Sequence, residues 1–160
     1  MDVAFRRATR RDSAAALQVV DRALHDYGMA ALPETSDRDL ADLEQHYDAR
    51  GGCFELLELG GEVVGVLGWR PAGDGVIELK KLYLLAAARG RGLGRRAVAR
   101  VIDAARAAGA RAIVLETSLR LTDANQLYQK LGFVPVQGTA AVSFATLSDQ
   151  CDLAYRLELA

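Results

Sequence analysis

Residues 82–96, LYLLAAARGRGLGRR, limit what this chain can fold into more than any other stretch. An apolar strand pattern runs through glycines at 90, 92 and 94 into a helical pattern over 93–108, with Val98, Val101, Ile102 and Ala105 as its apolar stripe. A strand that turns through glycines into a helix leaves free backbone N–H groups at the helix start, and the helix dipole favours an anion there. The glycines let a large anion approach the backbone without meeting Cβ atoms. Arg89, Arg91, Arg95 and Arg96 add positive charge around the loop. The unit therefore reads as a pyrophosphate cradle. Two common cradles fail on spacing. A GxGxxG dinucleotide loop needs glycine at 95, which is Arg95, and a Walker A loop from Gly90 needs glycine at 95 and lysine at 96.

The rest of the chain supplies a body for this unit. At 160 residues one domain, 1–160, is expected, and 51% hydrophobic content excludes a wholly disordered chain. No apolar run reaches the ~18 residues of a membrane helix, and MDVAFRRATRRDS has no secretory pattern, so no membrane partner and a cytoplasmic location are expected. Cys53 and Cys151 form no CxxC, and His25 and His46 form no HExxH; no metal is expected, and both cysteines read as small buried hydrophobes. The net charge of −1 conceals an asymmetry. Residues 80–111 carry nine basic side chains against Asp103 alone, whereas residues 1–79 carry eight basic and fifteen acidic. A basic block around one loop points to a local anionic ligand, not to a nucleic-acid stripe.

Periodicity orders the elements. Residues 4–8 read as a first strand. Asp12 can cap a helix over 13–27 that Gly28 stops, and Ser36-Asp37-Arg38-Asp39 resembles a capping box opening a second helix to about Arg50. Strands 53–59 and 62–69 flank the Gly60-Gly61 turn, and Pro71 to Gly75 reads as another turn. A strand over 76–85 follows, whose alternation slips at Lys80-Lys81 as a one-residue bulge would make it. A buried strand at 112–117, a helix at 122–131 and strands at 133–136 and 152–159 complete the chain. Helices around one central sheet place the fold in a mixed α/β class with αβα layers.

Two blocks carry a family resemblance. Arg89-Gly90-Arg91-Gly92-Leu93-Gly94 matches the Q/R-x-x-G-x-G/A loop of the GNAT-type N-acetyltransferases. The preceding ELKKLYL and the later Ala124-Asn125-Gln126-Leu127-Tyr128-Gln129-Lys130-Leu131-Gly132-Phe133 resemble that family's flanking strand and its A-x-x-LY-x-x-LGF block. The resemblance implies a central mixed, largely antiparallel sheet splayed at an acetyl-CoA loop. It implies acetyl-CoA as cosubstrate, a primary amine as acceptor, and direct attack in a ternary complex.

The resemblance also implies roles. The backbone of residues 90–95, Gly90, Arg91, Gly92, Leu93, Gly94 and Arg95, would hold the pyrophosphate beside Arg89. Leu82, Tyr83 and Leu84 would pair with the pantetheine arm, with a backbone N–H near Leu84 polarising the thioester carbonyl. Tyr128 takes the place of the family's general acid; a phenol of pKa about 10 is protonated at pH 7 and can donate to a departing thiolate. Its plainer reading is a core aromatic. The base is Glu78, Glu116 or a water chain. Many members have asparagine seven residues before the tyrosine; that place is Leu121 here, which leaves Asn125 for the cofactor contact. Ala86 stands where the family often has proline. The acidic stretch 25–50 suits a cationic acceptor. A non-catalytic acyl-CoA-binding module would share these features, and the oligomeric state stays open between monomer and homodimer.

Overall fold

The computed structural model describes residues 2–136 and 153–159. Seven strands form one sheet in the order β1-β2-β3-β4-β5-β7-β6. They are β1 (Val3–Arg7), β2 (Cys53–Leu59), β3 (Glu62–Gly73), β4 (Val76–Leu84), β5 (Ala112–Thr117), β6 (Val134–Val136) and β7 (Leu153–Glu158). All neighbours are antiparallel except β4 and β5. Helices α1 (Ser13–His25), α2 (Leu43–His46), α3 (Leu93–Ala107) and α4 (Thr122–Lys130) complete the fold.

The alternation in β2 explains the layering. Leu57 faces a core with Val98 and Val101 of α3 and Tyr128 of α4. Phe54 and Leu56 face the opposite core, with Val20 and Leu24 of α1 and Leu43 of α2. Each sheet face thus buries the apolar stripe of its own helices, as the αβα reading requires. Among the described residues no helix is long and apolar enough to cross a membrane.

Several local expectations are corrected. The second helix is not continuous. Residues Arg38–Ala41 and Asp48–Arg50 are 3-10 turns, and only Leu43–His46 is α-helical. Asp42 breaks the run: it is extended (φ −151°, ψ 98°), and its carboxylate accepts from the N–H of Gln45. Asp37 and Asp39 are buried and engage Lys81 instead of capping a helix. Asp12 precedes α1 without capping it; its carboxylate is held by Thr9 N–H at 2.8 Å and Arg6 at 3.1 Å. α1 ends at His25.

The turn expected from Pro71 is strand. β3 continues to Gly73, with Pro71 opposite Ile77. β2 has ended by then at Cys53, opposite Trp69, so the missing N–H of Pro71 breaks no ladder on that side. Cys53 is a half-buried free thiol, while Cys151 lies outside the described residues.

The bulge lies where the alternation slips. Gly68 pairs with Lys81 and Trp69 with Leu79, so Lys80 is the extra residue. Leu79 and Leu82 thereby pack into one core although their parities differ.

Candidate active site

β4 and β5 register only from Val76↔Ala112 to Glu78↔Val114. Beyond that point β4 has no strand partner on its β5 side among the described residues, and the sheet opens there. The bulge at Lys80 sits at the start of this parting and adds local bend and twist.

A cleft of about 540 Å³ occupies the opening. That volume lies within the ~300–1,000 Å³ range of small-molecule and cofactor sites. Leu82, Tyr83 and Leu84 form one wall, and Gly90, Gly92, Gly94, Arg89 and Arg95 form the end where α3 begins. Gly90 and Gly92 both have φ of 74°, the left-handed conformation that glycine adopts without Cβ strain. Gly94 serves closeness: a Cβ there would lie 2.9 Å from a methyl of Leu127 on α4. Arg95 is exposed at the cleft and makes no ion pair among the described residues.

The other arginines are committed elsewhere. Arg89 donates to the Leu84 carbonyl at 3.0 Å, pairs with Asp26 at 3.0 Å and lies over the Tyr27 ring at 5.1 Å. It ties the loop to β4 and to the end of α1. Arg91 donates to the Ala87 carbonyl, and Arg96 lies over Phe5. Leu93 turns into the core. Arg89→Ala is expected to cost about 1–2 kcal/mol from the lost hydrogen bond and ring contact. Thermal melts of the free protein should fall by roughly 2–8 °C, and an unchanged melting temperature would show that the tie holds nothing.

The opposite wall comes from α4. Asp123, Gln126, Leu127 and Lys130 repeat at helical spacing and face the cleft. Sequence reasoning did not single them out as a face, although the 3–4 residue spacing carried that signal. Tyr27 donates to Asp123 at 2.8 Å, joining α1 to α4 across the cleft. Burial, then the bond to Asp123, holds the Tyr27 phenol above its ordinary pKa.

A second, smaller pocket of about 40 Å³ adjoins the parting. Glu78 and Glu116 both line it, with Asp37, Lys81, Thr117 and Ser118. Glu78 is 6% exposed and lies 3.7 Å from Arg70 and 4.0 Å from Lys80. Tyr83 and Leu121 line both cavities and so mark where they meet.

Two expected site residues stand back from these surfaces. Asn125 is buried, and its Nδ2 donates to the Ser118 carbonyl at 2.9 Å; it holds the loop between β5 and α4 and does not line the cleft. Tyr128 is 5% exposed and packs on Phe133 and Tyr155 at 5.6 and 5.8 Å. It follows Leu127 and lies one turn after Ala124, both of which line the cleft.

The chain is thus an α/β protein with a mixed sheet parted beside a glycine-rich helix start and a small pocket of mixed charge at the parting. Comparison with known proteins gives the family: the model of the acetyltransferase (GNAT) family matches residues 17–133, and the chain belongs to it. The uncharacterized N-acetyltransferase YjgM of Escherichia coli (strain K12) is 35% identical over 134 residues, covering 81% of this chain and 80% of that protein. The N-acetylaspartate synthetase of Rattus norvegicus is 35% identical over 97 residues, but the match covers 59% of this chain and only 32% of that protein. Among solved structures, a GNAT-family acetyltransferase from Staphylococcus aureus Mu50 superposes with a TM-score of 0.90 at 20% identity, covering 99% of this chain and 100% of that one. The protein yncA from Salmonella typhimurium, solved with acetyl-CoA, gives a TM-score of 0.71 at 24% identity, covering 100% of this chain and 95% of that one. These likenesses confirm the splayed mixed sheet as the family's fold.

Proposed function

We propose that this protein is an acetyl-CoA-dependent N-acetyltransferase that acts on a primary amine in a ternary complex. The observation that carries the reading is the junction of the two cavities at Tyr83 and Leu121. A thioester lying along Leu82–Leu84 would present its carbonyl there to a nucleophile held in the smaller pocket. Acetyl-CoA supplies the activated acetyl group. The chain supplies the rest: the amides of residues 90–95 and Arg95 hold the phosphates, and the open edge of β4 aligns the pantetheine arm. Glu78 or Glu116, directly or through water, would take the ammonium proton; the neutral nitrogen would bond to the carbonyl carbon, the C–S bond would break, and Tyr128 would protonate the thiolate and recover a proton from the acylated nitrogen. The yncA structure with acetyl-CoA and the N-acetyltransferase relatives support this reading.

Acetyl-CoA titrated into the purified protein should raise the melting temperature saturably, because a ligand of the folded state stabilises it by mass action. Thiol release would then be followed across amines that include amino acids, since one relative is named for acetylating aspartate. No thermal shift up to millimolar acetyl-CoA would remove the cofactor assignment. A shift without thiol release from any amine would leave a cofactor-binding module.

A further inference from the structure

We propose that Lys81 is a positioning residue for the acceptor: its buried ammonium ties residues 36–39 to β4 and so fixes one wall of the pocket beside the parting. This rests on the reading of that pocket as the amine site. Lys81 is 5% exposed, and the bulge at Lys80 sets the register in which it stands opposite Gly68. Its Nζ lies 3.0 Å from Asp37 Oδ1 and 3.3 Å from Asp39 Oδ1, and it donates to the Ser36 carbonyl at 3.3 Å. All three contacts fall on four consecutive residues.

The anions are held in turn. Asp37 Oδ2 accepts from the Leu32 N–H at 2.8 Å, and Asp39 accepts a short hydrogen bond from the buried Tyr47 hydroxyl. Burial works against the charge on Lys81, but Asp39 and Asp37 outweigh it and hold the ammonium pKa above its usual value. Burial likewise works against Asp39, and Lys81 with the Tyr47 hydroxyl outweighs it, so its pKa lies below the usual carboxylate value. Both shifts favour the charged forms of Lys81 and Asp39.

A buried ion cluster is a poor way to gain stability, since well-packed apolar side chains often do as well. What it can supply here is placement. Between α1 and α2 the chain has one 3-10 turn, Arg38–Ala41, and no strand. No ladder holds this stretch to the sheet. Ser36 and Asp37 nevertheless line the pocket that Glu78 and Glu116 line from the strands. Leu40 packs this stretch into the core with Phe54, Leu56 and Val66, and the Lys81 contacts tie its polar side, at residues 36–39, to β4.

The test compares wild type with Lys81→Met, which keeps the length of the side chain, and Lys81→Arg, which keeps the charge. Three quantities are read: the amine KM at saturating acetyl-CoA, acetyl-CoA affinity by calorimetry, and amide hydrogen exchange over residues 32–41. Lys81→Met should raise the amine KM about tenfold or more with acetyl-CoA affinity within about twofold. Exchange over 32–41 should quicken by at least about tenfold while β4 stays protected, and Lys81→Arg should recover part of both effects. If Lys81→Met does not fold, Asp39→Asn keeps the Lys81–Asp37 pair and should show the same split in smaller measure. An unchanged amine KM and unchanged exchange would overturn the proposal, as would amine and acetyl-CoA parameters worsening together. Failure of wild type to release thiol with any amine would instead overturn the transferase reading, and the exchange arm would still decide whether Lys81 holds the wall.

Discussion

Gly92→Asp is expected to abolish acetyl-CoA binding while leaving the protein folded. Gly92 precedes α3 with φ 74° and ψ 12°, and a Cβ built there meets nothing within 4 Å. The folded state therefore bears only the left-handed strain of an L-residue, roughly 1–2 kcal/mol. The cradle fares worse. A carboxylate at a helix start takes the free N–H groups for itself and occupies the place where the dipole favours an anion. The incoming pyrophosphate would meet a like charge and used donors. A loss of at least about 10²-fold in affinity, near 2.7 kcal/mol, is expected. Gly92→Ala separates charge from sterics: it adds a Cβ and left-handed strain without the carboxylate and should lose less affinity than Gly92→Asp. Calorimetric titration of both variants checks this, and acetyl-CoA binding to Gly92→Asp with wild-type affinity would refute the cradle.

Much of this site is written locally, and that part is legible in the sequence. The loop from Arg89 to Gly94 announces itself through its own glycines, two of them at positive φ, and the slip at Lys80-Lys81 marks the bulge because strand parity is a local property. Charge is harder to read, because ion pairs link residues far apart in the chain. The basic block 80–111 suggests a single anionic ligand, yet Lys81 pairs with Asp37 and Asp39, Arg89 with Asp26, and Arg100 with Glu55. The acidic excess before residue 80 and the basic excess after it are thus partly two sides of the same structural contacts. Arg89 and Arg95 alone among the block's arginines line the cleft. The broken second helix has the same origin. Helical pattern favours residues 36–50, but two of its aspartates are drawn into the core by a lysine more than forty positions later. Local propensity yields there to a tertiary ion cluster that no window of sequence contains.

Tyr128→Phe is expected to lower kcat roughly 10²-fold or more, the usual contribution of a positioned general acid. The same change should leave acetyl-CoA affinity within about twofold, because the proposed binding surface is the cradle and the β4 edge. Its value as a test comes from the packing. The Tyr128 ring is wedged against Phe133 and Tyr155 and is almost fully buried. Phenylalanine keeps that ring and its apolar contacts, so the fold should lose no more than about 1–2 kcal/mol from the missing hydroxyl. The two roles of this residue then separate by measurement. A core aromatic predicts a small change in melting temperature and no change in turnover. A proton donor beside the cleft predicts the reverse weighting, with turnover falling far more than stability. Ala124, one turn before Tyr128, and Leu127 line the cleft while Tyr128 stands back from it, so turnover is the readout that shows whether the hydroxyl of this buried ring takes part. Steady-state rates at saturating acetyl-CoA and amine, with melts of both proteins, decide it; wild-type kcat in the phenylalanine variant would return Tyr128 to the core and leave protonation of the thiolate to solvent.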